Sequence, residues 1–252
     1  MHRFFCPEAD LEKSTVSITA PQEIHHIKDV LRLKVNDSIG IFNQNGDEIL
    51  GTVLSISPRK VEVRKDHAFP KEEKRGPTII LGCAIPKRSK FESIVEKTTE
   101  LGVDEIVPLK TERTEVLWDL KRFQEKKSRL LKVAINASKQ SGLRSIPLIH
   151  PVTDFPLAIR QFDQKALKAI PCLLGARQSL RELFDQSGRI VKNSPRAQKI
   201  IFLIGPEGDF TPEEVRLAVQ AGFVPVSLGE TVLKVETAAI SVVAFARLIF
   251  SS

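Results

Sequence analysis

Between residues 78 and 228 the sequence keeps returning to one pattern: a short, uninterrupted apolar run followed by a longer stretch of helical periodicity. The runs cover 78–83, 105–109, 169–174, 199–204 and 224–228. A strand with one wet face alternates apolar and polar residues, so a run without alternation must be covered on both faces. Strands of this kind alternating with helices imply an α/β fold around a parallel sheet. The helical stretches carry their own punctuation. Ser89 and Glu92 have capping-box spacing, Phe91, Ile94, Val95, Thr98 and Leu101 form one face, and Gly102 follows as a terminator. Thr211-Pro212-Glu213-Glu214 repeats the device, with Gly222 closing that helix.

The residues before this region read differently. Alternating runs at 38–42, 48–53 and 60–63 predict short strands, and Asn43-Gln44-Asn45-Gly46-Asp47 between the first two predicts a hairpin turn. Ile24, Ile27 and Leu31 recur at helical spacing, predicting one helix over 23–32 with His25, Lys28 and Arg32 on its other faces. From 67 to 77 the chain turns polar and proline-bounded, a composition that buries little and suits a linker. These features predict two domains, residues 1–72 and 73–252. No internal repeat interrupts either part, which disfavours solenoids and propellers.

Lys and Arg number 38 against 31 acidic residues, giving a formal charge of +7. That excess suits a polyanionic partner without requiring one. No apolar run reaches the length of a membrane span, and the segment from Met1 to Cys6 lacks the layout of a signal peptide, so a soluble cytoplasmic protein is expected. Cys6, Cys83 and Cys172 are far apart and odd in number, and the five histidines form no ligand pattern. The expectation is reduced cysteines, two of them in the core, and no metal.

Ligands of open parallel sheets bind beyond the carboxyl ends of the strands. Two loops there stand out: Gly205-Pro206-Glu207-Gly208-Asp209-Phe210, and the stretch from Gly229 to Thr237. Their glycines let backbone approach a ligand closely. Neither loop has the Gly-Lys-Ser/Thr of a phosphate loop or the three spaced glycines of a dinucleotide fingerprint, and no Gly-x-Ser-x-Gly elbow occurs. On spacing alone, ordinary strand-to-helix turns remain an equal reading.

The sequence 202–208, followed by Leu228-Gly229 and by Leu233-Lys234-Val235-Glu236-Thr237-Ala238, resembles the signature of the SPOUT-superfamily enzymes that make 3-methyluridine in 16S rRNA. Lys90-Phe91-Glu92, the stretch from Lys97 to Val103, Glu112-Arg113, Gln140-Ser141 and Pro147 follow in that family's order, and His26-Ile27 with Val30-Leu31-Arg32 is similar to its N-terminal RNA-binding domain. The resemblance implies a PUA-like β-barrel joined to a SPOUT α/β domain whose parallel sheet ends in a trefoil knot, working as a homodimer. It also implies S-adenosyl-L-methionine as methyl donor and the small ribosomal subunit as partner. The apolar segment 237–246 needs burial in the core or against a second subunit. Four positions depart from the pattern: Asp209 stands where the family usually has Gly, Thr231 and Lys234 where it usually has Arg, and Lys139 where an acid is common.

On this resemblance the donor is expected against Leu174, Gly175, Ile204, Gly205, Pro206, Glu207, Gly208, Ser227, Leu228, Gly229, Val232, Leu233 and Thr237. N3 of neutral uracil carries a proton and is a poor nucleophile, so the site needs a proton acceptor and a charge stabiliser. Glu236 or Glu207 could accept the proton while Lys234 stabilises charge on a uracil oxygen. Each carboxylate also has a plainer reading, as a helix cap or a partner of loop amides. RNA contacts are expected from Arg3, His26, Arg32, Lys87, Arg88, Lys90 and Arg113, whereas Lys121, Lys126, Lys127 and Arg129 read as a solvated helix face. Alternative readings are a non-catalytic rRNA-binding assembly factor, or a SPOUT enzyme acting on tRNA or a ribose 2'-hydroxyl.

Overall fold

The computed structural model describes residues 1–70, 76–87, 90–116, 118, 120–193 and 199–250, without the side chains of 120 and 187–193. The chain divides into two units, one of residues 1–73 with 138–146, the other of 74–137 with 147–252.

In the first unit β1 (His2–Phe5), β2 (Thr15–Ile18), β3 (Ser38–Phe42), β4 (Glu48–Ile56) and β5 (Val61–Phe69) form a five-stranded sheet in the order β1-β3-β4-β5-β2. β1 runs parallel to β3 and the other pairs are antiparallel. The hairpin expected at 43–47 joins β3 to β4. Asn43 Oδ1 accepts from the N–H groups of Asn45 and Asp47 at 2.9 and 3.1 Å, and Gly46 takes φ 77°. Two register shifts in β4 against β5, at Leu50/Gly51 and Val53/Ser55, bend the sheet around a core containing Phe4, Val16, Ile18, Ile27, Ile39, Ile41 and Val63.

Two expectations for this unit need correction. The helix predicted over 23–32 is shorter: α1 (Pro21–His25) widens into a π-type turn over His26–Val30, and Arg32 already lies at φ 54°. Residues 67–69, read as linker, continue β5, because pairing of His67 with Leu50 and of Phe69 with Glu48 satisfies backbone groups whatever the side-chain polarity. Residues 71–75 of that linker lie outside the described residues.

Arg3, expected at the RNA, is turned inward instead. Its side chain is 9% exposed, its Nε donates to Glu48 Oε1 at 2.7 Å, and its Nη1 donates to the carbonyls of Ser138 and Leu143, both at 3.1 Å. Arg144 meets the other oxygen of Glu48 at 2.6 Å. One buried carboxylate thus ties the 138–146 segment to the sheet, and Lys139 paired with Glu23 at 2.6 Å adds a second tie.

The second unit holds an eight-stranded sheet. Its strands are β6 (Thr78–Ala84), β7 (Glu105–Lys110), β8 (Leu148–Ile149), β9 (Thr153–Asp154), β10 (Leu167–Pro171), β11 (Gln178–Ser179), β12 (Lys199–Ile204) and β13 (Val224–Ser227). The order is β11-β13-β10-β12-β6-β7-β8, β9 pairs with β7, and every pairing is parallel. From β6 the chain steps outward to β8, returns on the other side at β10, and only then fills the gap with β12. Ile201 and Leu203 of β12 pack with Phe155, Phe210 and Phe223 on one face, while Phe202 meets Phe184 on the other. Coverage on both faces accounts for the unbroken apolar runs, each fully buried side chain contributing about 1.5–3 kcal/mol.

The helices are α2 (Lys90–Glu100), α3 (Leu120–Ser141), α4 (Phe155–Gln161), α5 (Leu180–Asn193), α6 (Pro212–Gln220) and α7 (Val235–Phe250). The capping box at α6 is complete: Thr211 Oγ1 accepts from Glu214 N–H at 3.2 Å, Glu214 Oε2 accepts from Thr211 N–H at 2.9 Å, and Gly222 follows at φ 87°. Ser89, the cap expected for α2, lies outside the described residues, while Gly102 after that helix has φ 81°. α7 packs on α2, β6 and β12 through a buried face that includes Ala239, Val242, Val243 and Ala246. Among the described residues no helix is long and apolar enough to cross a membrane.

Removing the shared partner of two arginines leaves their charges uncompensated in a buried place. Glu48→Ala should therefore destabilise the chain by about 3–5 kcal/mol, read from urea unfolding followed by far-UV circular dichroism; a change under about 0.5 kcal/mol would show that the pairing contributes little.

Candidate functional site

β10, β12 and β13 are neighbours, so the loops leaving their carboxyl ends emerge side by side. Together with the starts of α2 and α7 they enclose a cavity of about 360 Å³. Ile204, Gly205, Pro206 and Glu207 line it from the β12 loop, and Ser227, Leu228, Gly229, Val232 and Leu233 from the β13 loop. Lys234 and Glu236 complete the set of expected residues found there, and Lys90, expected to touch RNA, lines it as well.

The backbone of both loops depends on glycine. Gly229 sits at φ +126°, a conformation that strains any other residue although open space surrounds the position. At Gly205 the constraint is room: a Cβ would lie 3.1 Å from Cδ2 of the buried Phe210 and 3.2 Å from its backbone nitrogen.

Four expected lining residues stand elsewhere. The strand read over 169–174 ends at Pro171, which leaves Leu173 and Leu174 half exposed. The cavity wall from this loop is formed by Pro171, Cys172, Leu173 and Arg177 in place of Leu174 and Gly175. Gly208 lies outside the lining and turns its carbonyl to Arg113 Nη1 at 2.6 Å, and the Thr237 carbonyl accepts from Ser241 Oγ at 2.8 Å within α7. Asp209, Val226, Val235 and Ala238 line the cavity unanticipated, and Thr231 lines it within the β13 loop expected there. Asp209 and Thr231 had a signal in the sequence, as departures from the family's usual Gly and Arg.

An ion pair is built into the site. Lys90 Nζ donates to Glu236 Oε1 at 2.9 Å, and Glu236 Oε2 is buried with no partner among the described residues. Burial by itself would raise the Glu236 carboxyl. The hydrogen bond from Lys90, the residue's own amide, and the charges of Lys90 and Lys234 outweigh burial and hold it below the usual carboxylate range. Glu207 takes the plainer role: its Oε1 accepts the Lys87 N–H at 3.0 Å and joins the β6 loop to the β12 loop. Lys87 Nζ pairs with Glu115 at 2.7 Å.

Cys83 is fully buried at the end of β6, and burial first, then the charges of Glu207 and Glu236, push its thiol up. Burial also raises Cys172 and takes Cys6 up to about 12, so each of the three is a protonated thiol at neutral pH. Among the described residues no group of three or more His, Cys, Asp or Glu is placed to hold a metal ion. Of the other expected RNA contacts, Arg32 and Arg113 are exposed, His26 is half-buried edge-on to Phe4, and Arg88 lies outside the described residues.

Comparison with known proteins agrees with this layout. A family model described as RNA methyltransferase domain matches residues 72–247, and one described as RNA methyltransferase PUA domain matches 18–66. The chain is 31% identical to the ribosomal RNA small subunit methyltransferase E of Rickettsia conorii, over 95% of this chain and 92% of the relative. It is 29% identical to the protein of that name from Bacillus subtilis, over 90% of this chain and 87% of the relative. A ribosomal RNA small subunit methyltransferase E from Neisseria gonorrhoeae, solved bound to S-adenosyl methionine, superposes with a TM-score of 0.84 at 25% identity, covering 99% of this chain and 98% of that one. A methyltransferase from Legionella pneumophila, in complex with the bound cofactor SAM, gives 0.85 at 28% identity, covering 98% of this chain and 97% of that one. With both domain models matched in order and likeness extending along nearly the whole chain, this protein belongs to the ribosomal RNA small subunit methyltransferase E family of RNA methyltransferases.

Proposed function

We propose that this chain transfers the methyl group of S-adenosyl-L-methionine to N3 of a uridine in the 16S rRNA of the small ribosomal subunit. In this reading residues 1–72 are the PUA-like RNA-binding domain and 73–252 the SPOUT methyltransferase domain, active in the cytoplasm as a homodimer. The observation that carries it is the convergence of the β10, β12 and β13 loops on one cavity that also holds a carboxylate with a free buried oxygen.

The residues present fit the donor. Apolar groups such as Pro206, Leu228 and Leu233 suit an adenosyl group, loop backbone offers donors and acceptors, and Glu236 Oε2 offers an anionic partner to a cation or an N–H. Bound there, S-adenosylmethionine supplies an electrophilic methyl group on a sulfonium. The chain's own work is positioning. Glu236, ionised at neutral pH, takes a hydrogen bond from uracil N3–H and receives the proton as N3 becomes nucleophilic, while Lys234 stabilises the negative charge gathering on a uracil oxygen. Glu207 keeps the β6 loop against the β12 loop. The proposed RNA contacts are His26, Arg32, Lys87, Arg88, Lys90 and Arg113, without Arg3, whose guanidinium is engaged inside its own unit.

Two features support the finer parts of this reading. Entry of β12 into a gap between strands already placed, followed by α7 packing on β6 and β12, accords with a knotted carboxyl-terminal region. Leu248 at 73% exposure and Val232 at 75% leave apolar surface that a second subunit would cover.

Purified protein with labelled S-adenosylmethionine should transfer label to undermethylated small subunits, and nucleosides digested from them should contain 3-methyluridine; labelled 2'-O-methyl nucleosides, or none, would overturn the assignment. Gly205→Val drives a branched side chain into Phe210 and should abolish donor binding in calorimetry while circular dichroism shows a folded chain, so unchanged affinity would move the donor elsewhere. Glu236→Gln should lower kcat by about 100-fold, read in single-turnover methyl transfer. Because Lys90 holds the Glu236 carboxyl down, the acid limb of the kcat profile should lie below the ordinary carboxylate range. Lys90→Met removes the hydrogen bond and charge of that lysine and leaves burial opposed only by the residue's own amide and Lys234, so the limb should move to higher pH; an unmoved limb would show that Glu236 does not govern it.

A further inference from the structure

Asp209 sits at φ 57°, where glycine rests freely and an aspartate incurs backbone strain. The residue is attached at two places. Its N–H donates to the Pro206 carbonyl at 3.0 Å and closes the turn after β12. Its Oδ2 accepts the backbone N–H of Leu173 at 2.7 Å, across to the loop after β10.

That second bond lies where the sheet ends. The ladder between β10 and β12 runs as far as Ala169 and Phe202; beyond it β10 continues to Pro171 against β13 and β12 to Ile204 against β6 before each enters its loop. On its far side the β10 loop is tied to β13 by Cys172 N–H donating to Val226 O at 3.3 Å. Within itself it is folded by Arg177 Nη1 donating to the Cys172 carbonyl at 2.9 Å. The Asp209 carboxylate supplies a tie to the β12 loop. Cys172, Leu173, Arg177 and Asp209 all line the cavity, so the ties set the shape of one wall.

We infer that Asp209 is a positioning residue for the methyl donor: its carboxylate continues the sheet's cross-strand bonding one step past the strand ends and holds the 172–177 loop as a fixed wall of the cavity. This rests on the proposed function, which puts the donor in that cavity. The position favours a left-handed backbone that Gly accepts best and Asn accepts well, so the carboxylate can be deleted without disturbing the turn. Asp209→Gly removes the tie and relieves the backbone. Asp209→Asn keeps an oxygen able to accept the Leu173 N–H.

The test combines calorimetry with S-adenosylmethionine, thermal unfolding, and amide hydrogen exchange in the ligand-free chain. Asp209→Gly should raise the donor Kd and KM by about 10-fold, leave kcat within about 3-fold and the unfolding midpoint within a few degrees, and speed exchange at the Leu173 amide by about 10-fold. Asp209→Asn should restore affinity to within about 3-fold of the parent and recover the protection of that amide. Parent-like affinity in the glycine variant, or parent-like exchange at Leu173, would overturn the inference, as would an asparagine variant as impaired as glycine. If the parent chain itself binds no S-adenosylmethionine, the donor-site reading fails, and the exchange measurement on the ligand-free chain still decides whether Asp209 holds the loop.

Discussion

The architecture of the second unit depends on the placement of β12 between β10 and β6. That strand is covered on both faces, pairs along its whole length with β6, and releases its chain beside the ends of β10 and β13. Parallel ladders leave all these strands pointing the same way, so their loops have to gather at one edge. The cavity is a result of that gathering, and its residues come from segments far apart in the chain, from Lys90 to Ala238.

Much of this was readable from residues alone, for identifiable reasons. The strands at 78–84, 105–110 and 199–204 were visible because two-sided burial leaves no polar interruption, and α6 because Thr211, Pro212, Glu214 and Gly222 each perform a local task with its own residue preference. The glycine-bearing loops at 205 and 229 could be picked out, and they do line one cavity. The failures follow from non-local causes. The wall at 171–177 was misplaced because Leu173 and Leu174 look like strand but stand past the last ladder bond, and β5 was cut short because backbone pairing with β4 does not announce itself in side-chain polarity. Arg3 looked like a phosphate contact since nothing local foretells that Glu48, far along the chain, takes it inward.

Electrostatics separates two carboxylates that looked equivalent in the sequence. Glu207 spends an oxygen on the Lys87 amide and so belongs to the loop's construction. Glu236 is paired on one side and open on the other. A lysine beside a partly buried acid keeps it ionised at neutral pH and makes it a weaker base.

The capping box of α6 reaches beyond its own helix. Glu214 Oε1, opposite the oxygen that closes the cap, accepts the backbone N–H of Glu112 at 2.9 Å, next to the arginine whose guanidinium meets the Gly208 carbonyl. One acid side chain therefore acts as a rivet through two layers, pinning a helix start and the turn after β7. Fraying of that helix would loosen the turn that carries Arg113 and, through the Gly208 carbonyl, the loop after β12, giving a surface mutation a route to the cavity wall.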